Sequence, residues 1–68
     1  MSKLINTKYE YDIHETVYHI TPESPKGIVI GRRVVTDPYY FIEYLVAFSH
    51  DESLWCGELE LSRDKAII

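Results

Sequence analysis

The stretch that decides the fold is residues 40–48, YFIEYLVAF. Its even-numbered positions are all apolar or aromatic, whereas Glu43 falls on the odd-numbered set. Because side chains alternate between the two faces of a β-strand, the pattern predicts a strand whose even-numbered face points into a core. The inward residues are expected to be Tyr40, Ile42, Tyr44, Val46 and Phe48.

Strand-like segments precede this stretch. Residues 16–20 (TVYHI) and 27–36 (GIVIGRRVVT) are rich in β-branched side chains, which suit a pleated surface. Two prolines in residues 21–26 cannot donate to a strand ladder, so those residues are predicted to form a loop. Gly31 predicts a β-bulge inside the second segment, and Asp37-Pro38 predicts the turn that follows it.

The C-terminal third predicts one more short turn and strand. After the polar residues 49–53, residues 54–57 (LWCG) lead into residues 58–61 (ELEL), which we interpret as a short helical turn followed by a brief last strand. Short strands with turns about every ten residues are typical of a small barrel or sandwich. We predict an all-β barrel of about five strands, because closing the sheet removes exposed edges.

The length of 68 residues leaves room for a single domain with a thin core. Residues 1–10 show no sustained alternation, so we predict a flexible N-terminal arm there and a barrel domain over residues 11–68. Tyr9 and Tyr11 are the side chains through which this region is expected to dock on the barrel.

Charge and cysteine content predict the environment. The chain is mildly acidic, with a net charge of −4 and one cysteine, Cys56. A secreted domain of this size usually carries several cysteines, and residues 1–6 lack the apolar run of a secretory signal. No segment approaches membrane-spanning length. We therefore expect a cytoplasmic protein without a membrane partner.

Several of these segments together resemble a known family. The matching parts are residues 11–13 (YDI), 17–19 (VYH), 27–29 (GIV), 43–48 (EYLVAF), Trp55 and residues 60–61 (EL). They resemble the Tudor/KOW-type SH3-like barrels of bacteria, as in the C-terminal Tudor-like domain of some repair helicases and the RNA-polymerase-binding domain of CarD-type regulators. At the first turn, His14-Glu15 stands where the family usually has Gly-Asp. The resemblance implies a non-enzymatic adaptor, of bacterial or phage type, that docks on a large machine such as RNA polymerase.

Catalytic, metal and cofactor sites are not predicted. His14 and His19 are five residues apart, which places their rings on opposite faces of a strand instead of on one metal. Cys56 beside Trp55 is typical of a small packed hydrophobe. The paired carboxylates have no expected cleft to raise a pKa and are interpreted as solvated charges: Asp51, Glu52, Glu58 and Glu60.

The surplus of aromatic residues predicts a protein-binding surface, because large amphipathic rings are good interface anchors. The predicted anchors are Tyr39, Tyr40, Phe41 and Trp55. Strand addition at an open edge is the expected geometry. Two alternatives stay open. One is weak nucleic-acid binding through Lys26, Arg32 and Arg33 with the nearby tyrosines. The other is a homo-oligomer that buries the aromatic surface.

Overall fold

The computed structural model describes residues 8–65, which form five antiparallel strands in one sheet. The predicted all-β class and the strand number are confirmed. The sheet order is β4-β3-β2-β1-β5. Within residues 8–65 no helix is long and apolar enough to cross a bilayer. The elements are β1 (Thr16–His19), β2 (Lys26–Val35), β3 (Phe41–Ser49), β4 (Glu52–Gly57), a 3-10 helix (Glu58–Glu60) and β5 (Leu61–Ser62).

The central strand β3 follows the predicted alternation with one exception. Ile42, Tyr44 and Val46 are buried, and Phe48 packs against the same core while remaining partly exposed. The prediction was wrong for Tyr40, which is 52% exposed. The strand begins only at Phe41, so Tyr40 belongs to the preceding turn, where strand alternation no longer orients its side chain.

Strand β2 carries the predicted bulge. Its pairing with β3 shifts register between Val29 and Gly31, which confirms the interruption expected at Gly31. A bulge adds a residue to one strand and increases the local twist. The first part of β2 pairs with β1, with Val17 opposite Gly27, while pairing with β3 continues to Val35 opposite Phe41. The bent strand β2 therefore lies at the centre of the sheet and pairs with β1 on one side and β3 on the other.

The core lies on one side of this twisted sheet. It consists of Tyr11, Val17, Val29, Ile42, Tyr44, Val46, Cys56 and Leu61. Tyr9 packs against its border, and the Tyr11 hydroxyl donates a hydrogen bond to the Leu61 carbonyl at 3.1 Å. Both tyrosines therefore dock as expected. Of the predicted arm, residues 1–7 lie outside the described part of the chain.

Arg63, the residue that follows β5, contacts the N-terminal segment and the first turn. Its guanidinium donates to the carboxylates of Glu10 (2.7 Å) and Glu15 (2.8 Å), and it stacks over the Tyr11 ring at 4.8 Å. The Asp12 backbone N–H and Arg63 lower the pKa of Glu15 below its ordinary value. These contacts hold the two ends of the described chain against each other.

The first turn places His14 in a left-handed backbone conformation. His14 has a φ of 77°, in the left-handed region that histidine tolerates better than β-branched residues do. We expect His14→Val to lower the free energy of unfolding by about 1 to 2 kcal/mol, because this backbone conformation crowds a branched side chain. His14→Gly should be neutral or stabilising. Thermal denaturation of the two variants measures the difference, and equal melting temperatures would contradict it.

Candidate functional site

A groove forms where β4 separates from β3. The last pair between these strands is Glu43 with Gly57, after which the chain turns into the 3-10 helix while β3 continues to Phe41. The space left beside β3 has a volume of about 570 Å³. We call this space the aromatic groove; it is lined by Tyr40, Phe41, Ile42, Glu43, Trp55, Gly57, Glu58, Leu59 and Glu60.

Three of the four predicted anchors meet in the aromatic groove. Tyr40 and Phe41 come from the start of β3, and Trp55 comes from β4. Each of these rings remains more than one third exposed. Tyr39, the fourth predicted anchor, is 77% exposed and does not line the groove. Tyr39 lies in the turn before β3, outside the strand that carries the groove residues.

Trp55 is held in place by a stacked ion pair. The Arg33 guanidinium lies 4.0 Å above the Trp55 ring, donates a hydrogen bond from Nε to Glu43 Oε1 at 2.7 Å, and forms an ion pair with the same oxygen through Nη2 at 2.6 Å. Arg33 pairs with Glu43 across β2 and β3, which explains the short contact. A cation above an indole ring is attracted by its π electrons. The stacked Arg33 side chain therefore fixes the orientation of the Trp55 ring in the aromatic groove.

The residues predicted for nucleic-acid binding are not gathered into one surface. Arg32 and Arg33 are neighbours in a strand, so they project from opposite faces. Arg32 stacks over Tyr9 at 4.2 Å, whereas Arg33 is engaged with Trp55 and Glu43. Lys26 stands at the beginning of β2. Two of the three cations are thus occupied by rings and carboxylates of the chain itself.

Leu59 is the groove residue that the sequence analysis missed. Its side chain is 90% exposed at the middle of the 3-10 helix. Strand alternation would place Leu59 and Leu61 on the same face, but the helical turn directs Leu61 into the core and Leu59 outward. An acidic residue on each side of a single leucine, Glu58-Leu59-Glu60, was the available signal that this leucine lies at the surface.

Glu58 is not the solvated charge that was predicted. Its Oε2 accepts hydrogen bonds from the Tyr44 hydroxyl at 2.6 Å and from the Glu10 backbone N–H at 3.2 Å. The same hydroxyl accepts the Glu10 N–H at 2.8 Å and the Tyr11 N–H at 3.3 Å. Burial, followed by the bond to Glu58, raises the pKa of Tyr44 to about 12. This network connects Glu58, in the lining of the aromatic groove, to the N-terminal segment.

His19, Cys56 and Glu60 bring potential metal ligands together, with donor atoms within 4.8 Å of one another. The Thr21 N–H donates to Nδ1 of His19, so the neutral ring carries its proton on Nε2, which faces Glu60 at 3.9 Å. Burial and the charges of Glu60 and Glu43 raise the pKa of the Cys56 thiol, which favours the protonated form. Because cysteine binds metals as the thiolate, a metal ion at this cluster would have to displace the thiol proton.

The edge of β4 offers a second binding element beside the groove. Among residues 8–65, β4 pairs with β3 on one side only. An edge strand presents backbone N–H and C=O groups to an added strand. Cys56, on this strand, is a free buried thiol.

Comparisons with known proteins add no assignment. The chain matches no family model, no curated protein and no solved structure.

Proposed function

We propose that this protein is a non-enzymatic binding module of the SH3-like type that captures an extended segment of a partner protein in the aromatic groove. The observation that carries the proposal is the convergence of Tyr40, Phe41, Trp55 and Leu59 on one open groove. Aromatic and aliphatic side chains that are left partly exposed around a concavity are suited to anchor a partner.

The strand arrangement supports the SH3-like assignment. A 3-10 helix precedes β5, and β5 returns to pair with β1, so that His19 lies opposite Leu61. This connection places the last strand beside the first, so β4 and β5 are the two edges that a closed barrel would bring together. The resemblance of the sequence to bacterial SH3-like adaptors points in the same direction, and with it to a cytoplasmic protein that docks on a machine such as RNA polymerase.

The position of the aromatic groove favours an extended ligand. The groove lies beside the end of β4, whose outer edge is unpaired within the described chain. A segment that adds to this edge gains backbone hydrogen bonds, while alternate side chains enter the groove. Backbone pairing supplies affinity, and the rings of the groove select the side chain.

Panning a random linear-peptide phage library on the immobilised protein tests the proposal. We expect enriched peptides that no longer bind Leu59→Gln, because an uncharged amide replaces the most exposed apolar side chain of the groove. Binding should weaken at least tenfold, which corresponds to about 1.4 kcal/mol. Trp55 is the single tryptophan and lines the groove, so its fluorescence reports binding directly.

Ile28→Gln is the matched control for this experiment. Ile28 is 45% exposed on β2 and does not line the groove, so the same change from an apolar to an amide side chain should leave peptide binding intact. The proposal fails if no peptide is enriched, or if both variants lose binding equally while their circular dichroism and melting temperatures match the wild type.

A further inference from the structure

The carboxylates of the aromatic groove define the chemistry of its occupant. Glu43, Glu58 and Glu60 line the groove, and no lysine or arginine does. Arg33 neutralises Glu43 from the neighbouring strand. Within residues 8–65, Glu58 has no ion pair with a basic side chain, and Glu60 has only His19 at 3.9 Å. The groove therefore carries uncompensated negative charge beside its rings.

The chain itself shows how a guanidinium fits this surface. Arg33 stacks on the Trp55 ring, donates a hydrogen bond to Glu43 and forms an ion pair with the same carboxylate, and both of these partners line the groove. The exposed rings of Tyr40 and Phe41 lie in the same groove as Glu58 and Glu60. The groove therefore holds a second set of aromatic rings and carboxylates suited to bind a guanidinium. Arginine is suited to both contacts, because its planar group stacks on rings and pairs with carboxylates through fixed donors.

From this complementarity we infer that the occupant of the aromatic groove is an arginine-bearing extended segment of a partner protein, whose guanidinium binds among Glu58, Glu60 and the Tyr40 and Phe41 rings. The inference rests on the proposed function. A lysine satisfies the charge but not the stacked, two-donor geometry. Arginine is therefore expected to be preferred over lysine at one position of the segment.

The first test is the composition of the peptides selected by phage panning. We expect arginine at one recurrent position next to an apolar residue. Replacing that arginine by citrulline, which keeps the shape and removes the charge, should weaken binding about tenfold in the wild-type protein. Replacement by lysine should give an intermediate loss.

A double variant tests whether Glu58 and Glu60 supply the negative charge that binds the arginine. Glu58→Gln with Glu60→Gln keeps acceptor oxygens for Tyr44 and Gly57 but removes both charges. In that protein the citrulline peptide should bind within about twofold of the arginine peptide, because the two carboxylates that pair with the guanidinium have been removed. Glu23→Gln with Glu52→Gln makes the same change of net charge at exposed positions outside the groove, and should retain the full tenfold difference.

The possible failures differ from one another. Peptides that depend on Leu59 but show no arginine preference would overturn the inference and leave the proposed function standing. Binding of a fluorescent oligothymidine that Leu59→Gln abolishes would overturn it in favour of nucleic acid. Dimerisation in light scattering that Leu59→Gln abolishes would overturn it in favour of a second copy of the chain.

Discussion

Gly27→Ala is expected to destabilise the protein by about 3 kcal/mol, at the upper end of the usual cost of overpacking. A Cβ at Gly27 would clash with Val46 Cγ1 and lie 3.0 Å from the Ala47 carbonyl oxygen. Val46 is fully buried, so its methyl group has no free space to enter. A single core of this size rarely supplies more than about 3 to 5 kcal/mol, and most of the stability should therefore be lost.

Gly57→Ala is the control for this prediction. The nearest atom to a Cβ at Gly57 is Glu60 Cδ at 3.9 Å, an ordinary contact, so the free energy of unfolding should change by less than about 0.5 kcal/mol. Urea denaturation followed by circular dichroism measures both variants. If Gly27→Ala is unfolded, adding Val46→Ala should restore part of the structure by removing the clashing methyl group. Equal stability of the two glycine variants would contradict the prediction.

Tyr44→Phe is expected to lower the free energy of unfolding by about 2 kcal/mol. The change removes the hydroxyl that accepts the Glu10 and Tyr11 N–H groups and donates to Glu58, and it leaves buried polar atoms without this partner. Tyr39→Phe removes a hydroxyl from a ring that is 77% exposed and should be neutral. A Tyr44→Phe protein as stable as Tyr39→Phe would show that the network contributes nothing.

The same hydroxyl predicts a loss of stability in alkali. The pKa of Tyr44 is raised from 10.0 to about 12, chiefly by burial, so the folded state favours the neutral phenol. Its contribution is complete below pH 10 and is lost as the pH rises towards 12, because the unfolded chain ionises first. The stability difference between wild type and Tyr44→Phe should shrink over this interval. A constant difference across the interval would contradict the assignment.

The Gly27 and Tyr44 predictions concern the core, which shares Ile42 with the aromatic groove. Tyr44 holds Glu58 in the groove, and Val46 lies on the same strand face as Ile42, another groove residue. The thin core and the binding surface therefore share residues. For this reason the binding experiments use Leu59, Glu58 and Glu60 variants, whose side chains leave the apolar core unchanged.

Local sequence pattern was sufficient for most of the secondary structure. The alternation around Ile42, Tyr44 and Val46 placed the central strand and its buried face, because period-two alternation reflects only the geometry of a single strand. Gly31 marked the bulge, and residues 58–61 predicted the short helical turn and last strand. Each signal depends on neighbours in the chain. The first residue of β3 was misplaced because the turn before it breaks the alternation at Tyr40.

The sequence by itself determined an all-β chain of about five strands with an aromatic surplus at the surface. Only the tertiary structure decided which rings meet, because Phe41 and Trp55 come from different strands and join in one groove where β4 ends. It also decided that Arg33 lies on Trp55 instead of forming a basic surface with Arg32, and that Leu59 faces outward. These facts depend on strand register and on contacts between distant residues, which local periodicity does not contain.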